Sequence, residues 1–377
     1  MSAESVLSKF HEAAAEPLSK KIENQKKATG KKVVGCFLYD IPEELLHAAG
    51  LQPLLFWGTN RPISMADTLI QSFCCSLVRS AVEALADGTL NKLDGMLIPH
   101  VCDSAQQMSS TWKYNSGGMY VEDYFVPKKL YSQASREYLI EELNRLKGSI
   151  ESLSGRKVTP ALLKESINLY NEDRALLRQL NDIRLKKPGA ISDRDFYTSV
   201  KASMIMPKEE HILLMKDLLN SLKDARGGEA PKIKVVLSGI LWEPPQVLDV
   251  FAEVGVAIIG DDLYNGSRYF LKDVATDGDP MEALADRHIN NIPFCCYHYP
   301  RQEVAQHLIK LVKETGAHGI VILEIKFCEP QDFEHPDLVK AIEEAGIPEL
   351  SLETELQTIA LGQMRTRLEA FVEMIGE

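Results

Sequence analysis

The phrase that most limits what this chain can fold into occurs twice. KVVGCFLYDIPEELLHAAG, Lys32 to Gly50, and KVVLSGILWEPPQVLDVFAEVG, Lys234 to Gly255, each run from an apolar β-branched stretch through a turn and a proline into an amphipathic helix that stops at glycine. A short continuous apolar run between turn residues reads as a buried strand, proline favours a helix start, and glycine favours the position just past its end. In each copy a further apolar run follows, LQPLLFWG after the first and VAIIGDD after the second. Strand, helix, strand at this spacing is the unit of a parallel sheet. Each half then carries another helix and another strand, the latter in GMLIPHVCDS and GIVILEIKFCEP. The repetition predicts an α/β fold built of two related Rossmann-like (flavodoxin-like) halves with parallel sheets.

Between the halves, Gln133 to Leu222 shows helical periodicity and no strand signal, as in REYLIEELNRLKGSIESL and PKEEHILLMKDLLNSL. DARGGEAP, Asp224 to Pro231, reads as a linker. The expected organisation is an N-terminal helix over residues 1–30, a first α/β half over 31–132, a helical segment over 133–228 and a second α/β half over 229–377. Within the last, PDLVKAIEEAG reads as a helix, IPELSLETE as a final strand, and Thr358 to Gly376 as a closing helix.

A net charge of −12 argues against nucleic acid as the main partner, because neutralising phosphates takes a concentrated basic face. The densest basic run, KKIENQKKATGKK, reads as a solvated helix and turn. No apolar run approaches the roughly 20 residues that a spanning helix needs, and MSAESVLSKF has no basic-then-apolar leader pattern, so a cytoplasmic protein without membrane contact is expected. In such a compartment seven cysteines do not read as a disulfide framework. Metal binding, catalysis and core packing remain.

Ligands of open parallel sheets collect at the carboxyl ends of the strands. Cys102 and Cys328 both follow strand ends there, and the segment holding Ser72, Phe73, Cys74 and Cys75 supplies a third thiol, giving a plausible three-thiolate site. Zinc would want four ligands with local C-x-x-C spacing, which is absent, whereas an iron–sulfur cluster tolerates ligands from distant points of a fold. Packing is the competing account, since free cysteine is among the most buried residue types. Cys36 and Cys74 read as packing residues. Cys295, Cys296 and His298 in IPFCCYHYP form a rival cluster, weakened because adjacent cysteines chelate poorly through one backbone. No G-x-x-x-x-G-K-[ST], G-x-G-x-x-G or G-x-S-x-G pattern occurs, so any driving energy for redox work would come from a partner.

VGCFLYDIPEELLHAAGLQPL, SFCCSLVRS, GMLIPHVCDS with STWKYN, MPKEEH, DDLYNGSRYF and KFCEP, in this order and approximate spacing from about Lys9 to the end, resemble the benzoyl-CoA reductase and 2-hydroxyacyl-CoA dehydratase family. The resemblance implies a [4Fe–4S] cluster, alone or joined to a second cubane, held by Cys75, Cys102 and Cys328. It implies pairing with a homologous larger subunit, and a separate ATP-hydrolysing iron–sulfur activator that injects one electron at very low potential. The electron would pass to an acyl-CoA thioester, giving a ketyl-type radical anion that expels a 2-hydroxyl or permits aromatic ring reduction. DDLYNGSRYF followed by DGDPMEALADR leans toward the smaller subunit of a benzoyl-CoA-type reductase. The β subunit of a 2-hydroxyacyl-CoA dehydratase is the second reading, and a non-catalytic electron-relay or stabilising subunit the third. Trp112 and Lys113 are candidates to line the pocket or, for the Trp, to pack the core. Arg268 is a candidate for subunit pairing or CoA phosphate binding, against a plain ion-paired role. One face of the strand carrying Glu324 and Lys326 is expected near the cluster.

Overall fold

The computed structural model describes residues 1–38, 41–229, 231–291, 295, 297, 303–357 and 360–376. Two helices, α1 (Ala3–Ala15) and α2 (Leu18–Thr29), precede the first half. That half comprises β1 (Val33–Phe37), α3 (Glu43–Ala48), β2 (Gln52–Phe56), α4 (Ser76–Ala86), β3 (Gly95–Pro99), α5 (Asp103–Asn115) and β4 (Tyr120–Tyr124). Four helices follow: α6 (Gln133–Ser154), α7 (Pro160–Lys186), α8 (Asp193–Ile205) and α9 (Lys208–Leu222). The second half runs β5 (Ile233–Gly239), α10 (Gln246–Glu253), β6 (Val256–Asp261), α11 (Ser267–Phe270), α12 (Pro280–Ile289), α13 (Glu303–Thr315), β7 (Gly319–Ile325), α14 (Glu329–Glu344), β8 (Glu349–Thr354) and α15 (Leu361–Gly376).

Each half holds one four-stranded, all-parallel sheet, ordered β2-β1-β3-β4 and β6-β5-β7-β8. The two orders are the same, which is the structural form of the repeated sequence phrase. β1, β2 and β3 are buried throughout, as strands covered by helices on both faces must be. In each sheet the chain goes first to one side of the opening strand and then to the other, so the connections part between β1 and β3, and between β5 and β7. A parallel α/β sheet binds ligands at the carboxyl ends beside such a switch point.

Three elements depart from the sequence expectation. The N-terminal helix is two helices, because Pro17 follows an extended Glu16 and cannot continue the first. β4, YVEDY, carried no apolar run: four of its five residues are half-buried, as suits an edge strand. α14 begins at Glu329, well before the expected PDLVKAIEEAG, because Pro330 sits in its first turn while Pro336 is carried inside.

A buried charged knot ties the halves to the helical segment. Asp173 on α7 accepts from Lys208 Nζ at 3.2 Å, from His211 Nδ1 at 2.5 Å, and from Ser203 Oγ. Lys208 Nζ also reaches Tyr269 Oη at 2.9 Å, and that hydroxyl donates to Glu43 Oε2 at 2.9 Å. Beside it Arg174 pairs with Glu44. Asp173, Lys208 and His211 are all at most 3% exposed, so each charge depends on the others. Burial works against the Asp173 carboxylate, but Lys208 and His211 more than offset it and hold its pKa well below the ordinary range. Glu43, buried with weaker compensation, is pushed up to about 7. Removing one partner of a buried pair strands the rest. Asp173→Ala is therefore expected to destabilise the chain by about 3–5 kcal/mol in denaturant unfolding. A loss under about 1 kcal/mol would show that the knot does not join the halves.

Candidate functional site

The connection after β2, the turn after β3 and the turn after β7 each deliver one cysteine, and each cysteine occupies the N-cap position of the helix that follows. Cys75 is the N-cap of α4, Cys102 of α5 and Cys328 of α14. A helix start leaves backbone N–H groups without internal partners and carries partial positive charge, so it favours an anion and lowers the cost of a thiolate. At Cys102 the thiol takes the Ala105 N–H at 3.4 Å. The Cys75 and Cys328 side chains make no such cap bond, although the nearby backbone N–H groups of Val78 and Leu77, and of Gln331, act to lower their pKa values.

Several side chains hold these turns in place. Lys128 Nζ donates to His100 O at 2.8 Å and to Val101 O, clamping the turn into Cys102. Ser76 Oγ accepts the Leu356 N–H at 3.3 Å, fixing the start of α4 against the exit of β8 in the other half. Gln331 on α14 donates to Leu323 O at 2.8 Å and accepts from Ile325 N at 3.0 Å, so the helix start is pinned to the end of β7. Glu83, farther along α4, takes the N–H groups of Ser64, Met65 and Ala66 and the Ser64 hydroxyl, which depress its pKa to about 2 and anchor the connection that leads to Cys75. Phe327, immediately before Cys328, has φ +62°, and Leu38 at the exit of β1 has the same value. Non-glycine residues rarely adopt this left-handed conformation, and such strain concentrates where a site demands it.

The Cys75 thiol is near enough to those of Cys328 and Cys102 to sense them electrostatically. Burial pushes the Cys75 thiol up, and Cys328 and Cys102 are the neighbours that add most to that rise. Cys75 and Cys328 are each 7% exposed, and Cys102 is half-buried. Among the described residues no three His, Cys, Asp or Glu side chains are grouped to hold a metal ion. A polynuclear centre spreads its thiolates over separate metal atoms, so thiols that sense one another electrostatically without closing on one ion suit a cluster. A coordinating cation would deprotonate them outright.

Interaction with Cys295 outweighs burial and lowers the Cys328 pKa from the ordinary thiol value. The other two members of the rival trio, Cys296 and His298, lie outside the described residues. Cys295 also lines a cavity of about 20 Å³ with Ser238, Asp262, Arg268, Gln331 and Glu334, large enough for about one water. Burial lifts Glu334 to about 7, and its Oε1 has no hydrogen-bond partner among the described residues.

The three candidate pocket residues lie in core packing or ion pairs. Trp112 is fully buried in the core, Lys113 pairs with Asp123 on β4, and Arg268 is 2% exposed with its guanidinium on Asp262 Oδ2 at 2.9 Å. Arg268 thus has the ion-paired role. Glu324 pairs with His335 at 2.8 Å, and Lys326 lies 3.9 Å from Glu353. Cys36 is buried in β1 near Glu43, and Cys74 is buried as well. Sequence reasoning missed Lys128, Glu83 and Gln331, which sit within ordinary helical or loop patterns and announce themselves only through the turns they hold.

The family model described as 2-hydroxyglutaryl-CoA dehydratase, D-component, matches residues 38–375. The chain is 32% identical to lactoyl-CoA dehydratase subunit beta of Anaerotignum propionicum, over 99% of both chains. It is 31% identical to (R)-2-hydroxyglutaryl-CoA dehydratase subunit beta of Acidaminococcus fermentans over 100% of both. To a benzoyl-CoA reductase subunit of Thauera aromatica it is 29% identical, over 92% of this chain and 91% of the relative.

Convergence of the thiols can be tested without any cofactor, because trivalent arsenic binds up to three thiolates at once. The metal-free chain is expected to bind arsenite through this group. Replacing Cys75, Cys102 or Cys328 with Ser is expected to weaken binding about tenfold or more, a change of about 1.4 kcal/mol in calorimetric titration. Cys36→Ser and Cys74→Ser are expected to leave it unchanged; equal effects at all five positions would contradict the grouping.

Proposed function

We propose that this chain, which belongs to the 2-hydroxyglutaryl-CoA dehydratase, D-component family, is the [4Fe–4S]-holding subunit of a complex that acts on an acyl-CoA thioester. The observation that supports the reading is that Cys75, Cys102 and Cys328 each sit at the N-cap of their own helix and that Cys75 senses the other two electrostatically. A bound cluster supplies one-electron transfer at low potential, chemistry beyond any side chain. What the chain does is hold, bury and polarise. Three thiolates in one place repel one another, and the backbone N–H groups of Leu77, Val78, Ala105 and Gln331 act against that repulsion. Burial of Cys75 and Cys328 keeps water from two of the three sulfurs, while half-buried Cys102 leaves one side approachable. Three thiolates also leave one corner of such a cluster free for a further ligand.

Other features fit a complex. Phe73, two residues before Cys75, is 69% exposed; Phe327, next to Cys328, is 43% exposed; and Phe333, early in α14, is 77% exposed. Large apolar side chains beside the site suit coverage by a partner, and we read that partner as a homologous larger subunit. Each of the three relatives is itself named as a subunit, two of them as beta subunits. With no phosphate-binding loop in the sequence, ATP hydrolysis falls to a separate iron–sulfur activator. No helix among the described residues is long and apolar enough to cross a membrane.

Two reactions are supported about equally. Identities of 31–32% to dehydratase beta subunits favour removal of water from a 2-hydroxyacyl-CoA, and 29% identity to a reductase subunit favours aromatic ring reduction of the benzoyl-CoA type. The complex, purified without oxygen and supplied with activator and ATP, decides between them. A ring-reduced product from benzoyl-CoA assigns the reductase, an enoyl-CoA from a 2-hydroxyacyl-CoA assigns the dehydratase, and neither product from an iron-loaded complex would contradict both. In the same complex Cys328→Ser is expected to lose about three to four irons per chain and turnover with them. Retention of iron and turnover would contradict the proposed ligand; retained turnover without the iron would point to a stabilising subunit.

A further inference from the structure

A cleft of about 450 Å³ lies where the turn between α1 and α2 meets the exit of β2, the α8 helix and the start of α10. None of the three cysteines lines it. Small-molecule sites run roughly 300–1,000 Å³, with mostly apolar walls and a few placed polar groups. Here Phe56, Trp57, Ile205, Pro244 and Leu356 give apolar walls, and Lys21, Lys201, Arg61, Glu16 and Glu243 bring charge. Most of that charge is already engaged. Lys201 Nζ lies 2.8 Å from Glu243 Oε2, and the other oxygen of that carboxylate accepts from Trp57 Nε1 at 3.1 Å. Arg61 pairs with Asp87 at 2.6 Å, and Glu16 accepts from Asn24 Nδ2 at 2.6 Å. Lys21 is the exception: it is 7% exposed, and its ammonium has no hydrogen bond or ion pair among the described residues. We propose that the cleft binds a small monocarboxylate with an apolar body, its carboxylate on Lys21 and its body against Trp57 and the neighbouring apolar wall.

The site goes beyond the function proposed above and does not depend on it. A buried ammonium without a partner is costly, and an anion that reaches it offsets the cost. One uncompensated positive charge matches one negative charge. A phosphate dianion would leave its second charge facing Glu16 and Glu243, and a bare small anion would leave the apolar walls uncovered. The charged groups that act on Lys21 are Glu16 from the turn after α1, Lys201 from α8 and Glu243 from the loop after β5, with Arg61 also on the wall. Burial, and Lys201 after it, lower the Lys21 pKa to about 7 against the pull of Glu16 and Glu243. A carboxylate seated beside the amine raises it again. Binding above about pH 7 therefore takes up a proton, and affinity falls as pH rises.

The test is calorimetric titration of the full chain with phenylacetate, 2-phenylethanol, acetate and inorganic phosphate, for the parent and for Lys21→Met, which keeps the stem and removes the charge. The parent is expected to bind phenylacetate about tenfold or more tightly than the neutral alcohol, acetate or phosphate. Lys21→Met is expected to lose about tenfold or more in phenylacetate affinity and to treat the alcohol as the parent does. In the parent alone, phenylacetate stays ionised while its affinity is expected to fall about tenfold or more from about pH 6 to about pH 9. No binding of phenylacetate by the parent, undiminished binding by Lys21→Met, an affinity that ignores pH, or tighter binding of the alcohol or of phosphate would each overturn the inference. A chain that binds phenylacetate yet holds no iron would fail the functional reading alone.

Discussion

Parallel strands impose the constraint on which the rest of this structure depends. When every strand of a sheet runs the same way, every strand end and every following helix start lies along one edge, and backbone N–H groups accumulate there. Two such edges, one from each half, are brought to the same place. The concentration of unpaired donors is what makes it tolerable to gather three thiols, two of them almost entirely out of water. Burial first, and the neighbouring thiols second, raise the Cys75 pKa, so the helix-start N–H groups work against a cost that is already present.

Bringing two edges together takes more than repeating a fold. The repeat puts Cys102 and Cys328 in corresponding places, after β3 and β7, but nothing in it obliges the halves to face one another. That role falls to the helices between them. Asp173, Lys208 and His211 come from the intervening helices, while Glu43 and Tyr269 come from α3 and α11, one in each half. A buried network of this kind adds little stability compared with apolar packing, yet it tolerates one arrangement only. Its geometry is therefore suited to fixing the distance between two strand ends. The Ser76–Leu356 bond adds a direct tie at the site.

The fold was largely legible, because strand and helix periods and proline and glycine punctuation are local signals. β4 was not, since an edge strand with a half-solvated face has no reason to be apolar. The long start of α14 was hidden by Pro336, which reads as a helix opener although Pro330 already supplies one. At the site, Cys102 and Cys328 were visible as thiols at strand exits. Cys74 already read as a packing residue, the resemblance pointed to Cys75, and the fold sets Cys75 at the N-cap of α4 with Cys74 buried just before it. Cys295 read as one of a trio with Cys296 and His298, whereas the fold sets it on the wall of a cavity with Gln331 and Glu334 of α14. For Trp112 and Arg268 the sequence left packing and ion pairing open beside a pocket role, and burial of Trp112 and the Arg268–Asp262 and Lys113–Asp123 pairs are what the fold adds.

The most direct test of the central claim is anomalous diffraction at the iron edge from crystals of the chain purified without oxygen. The account predicts iron density enclosed by the sulfurs of Cys75, Cys102 and Cys328, at the meeting of α4, α5 and α14. Iron bound elsewhere, or the three thiols found apart in an iron-loaded chain, would contradict it.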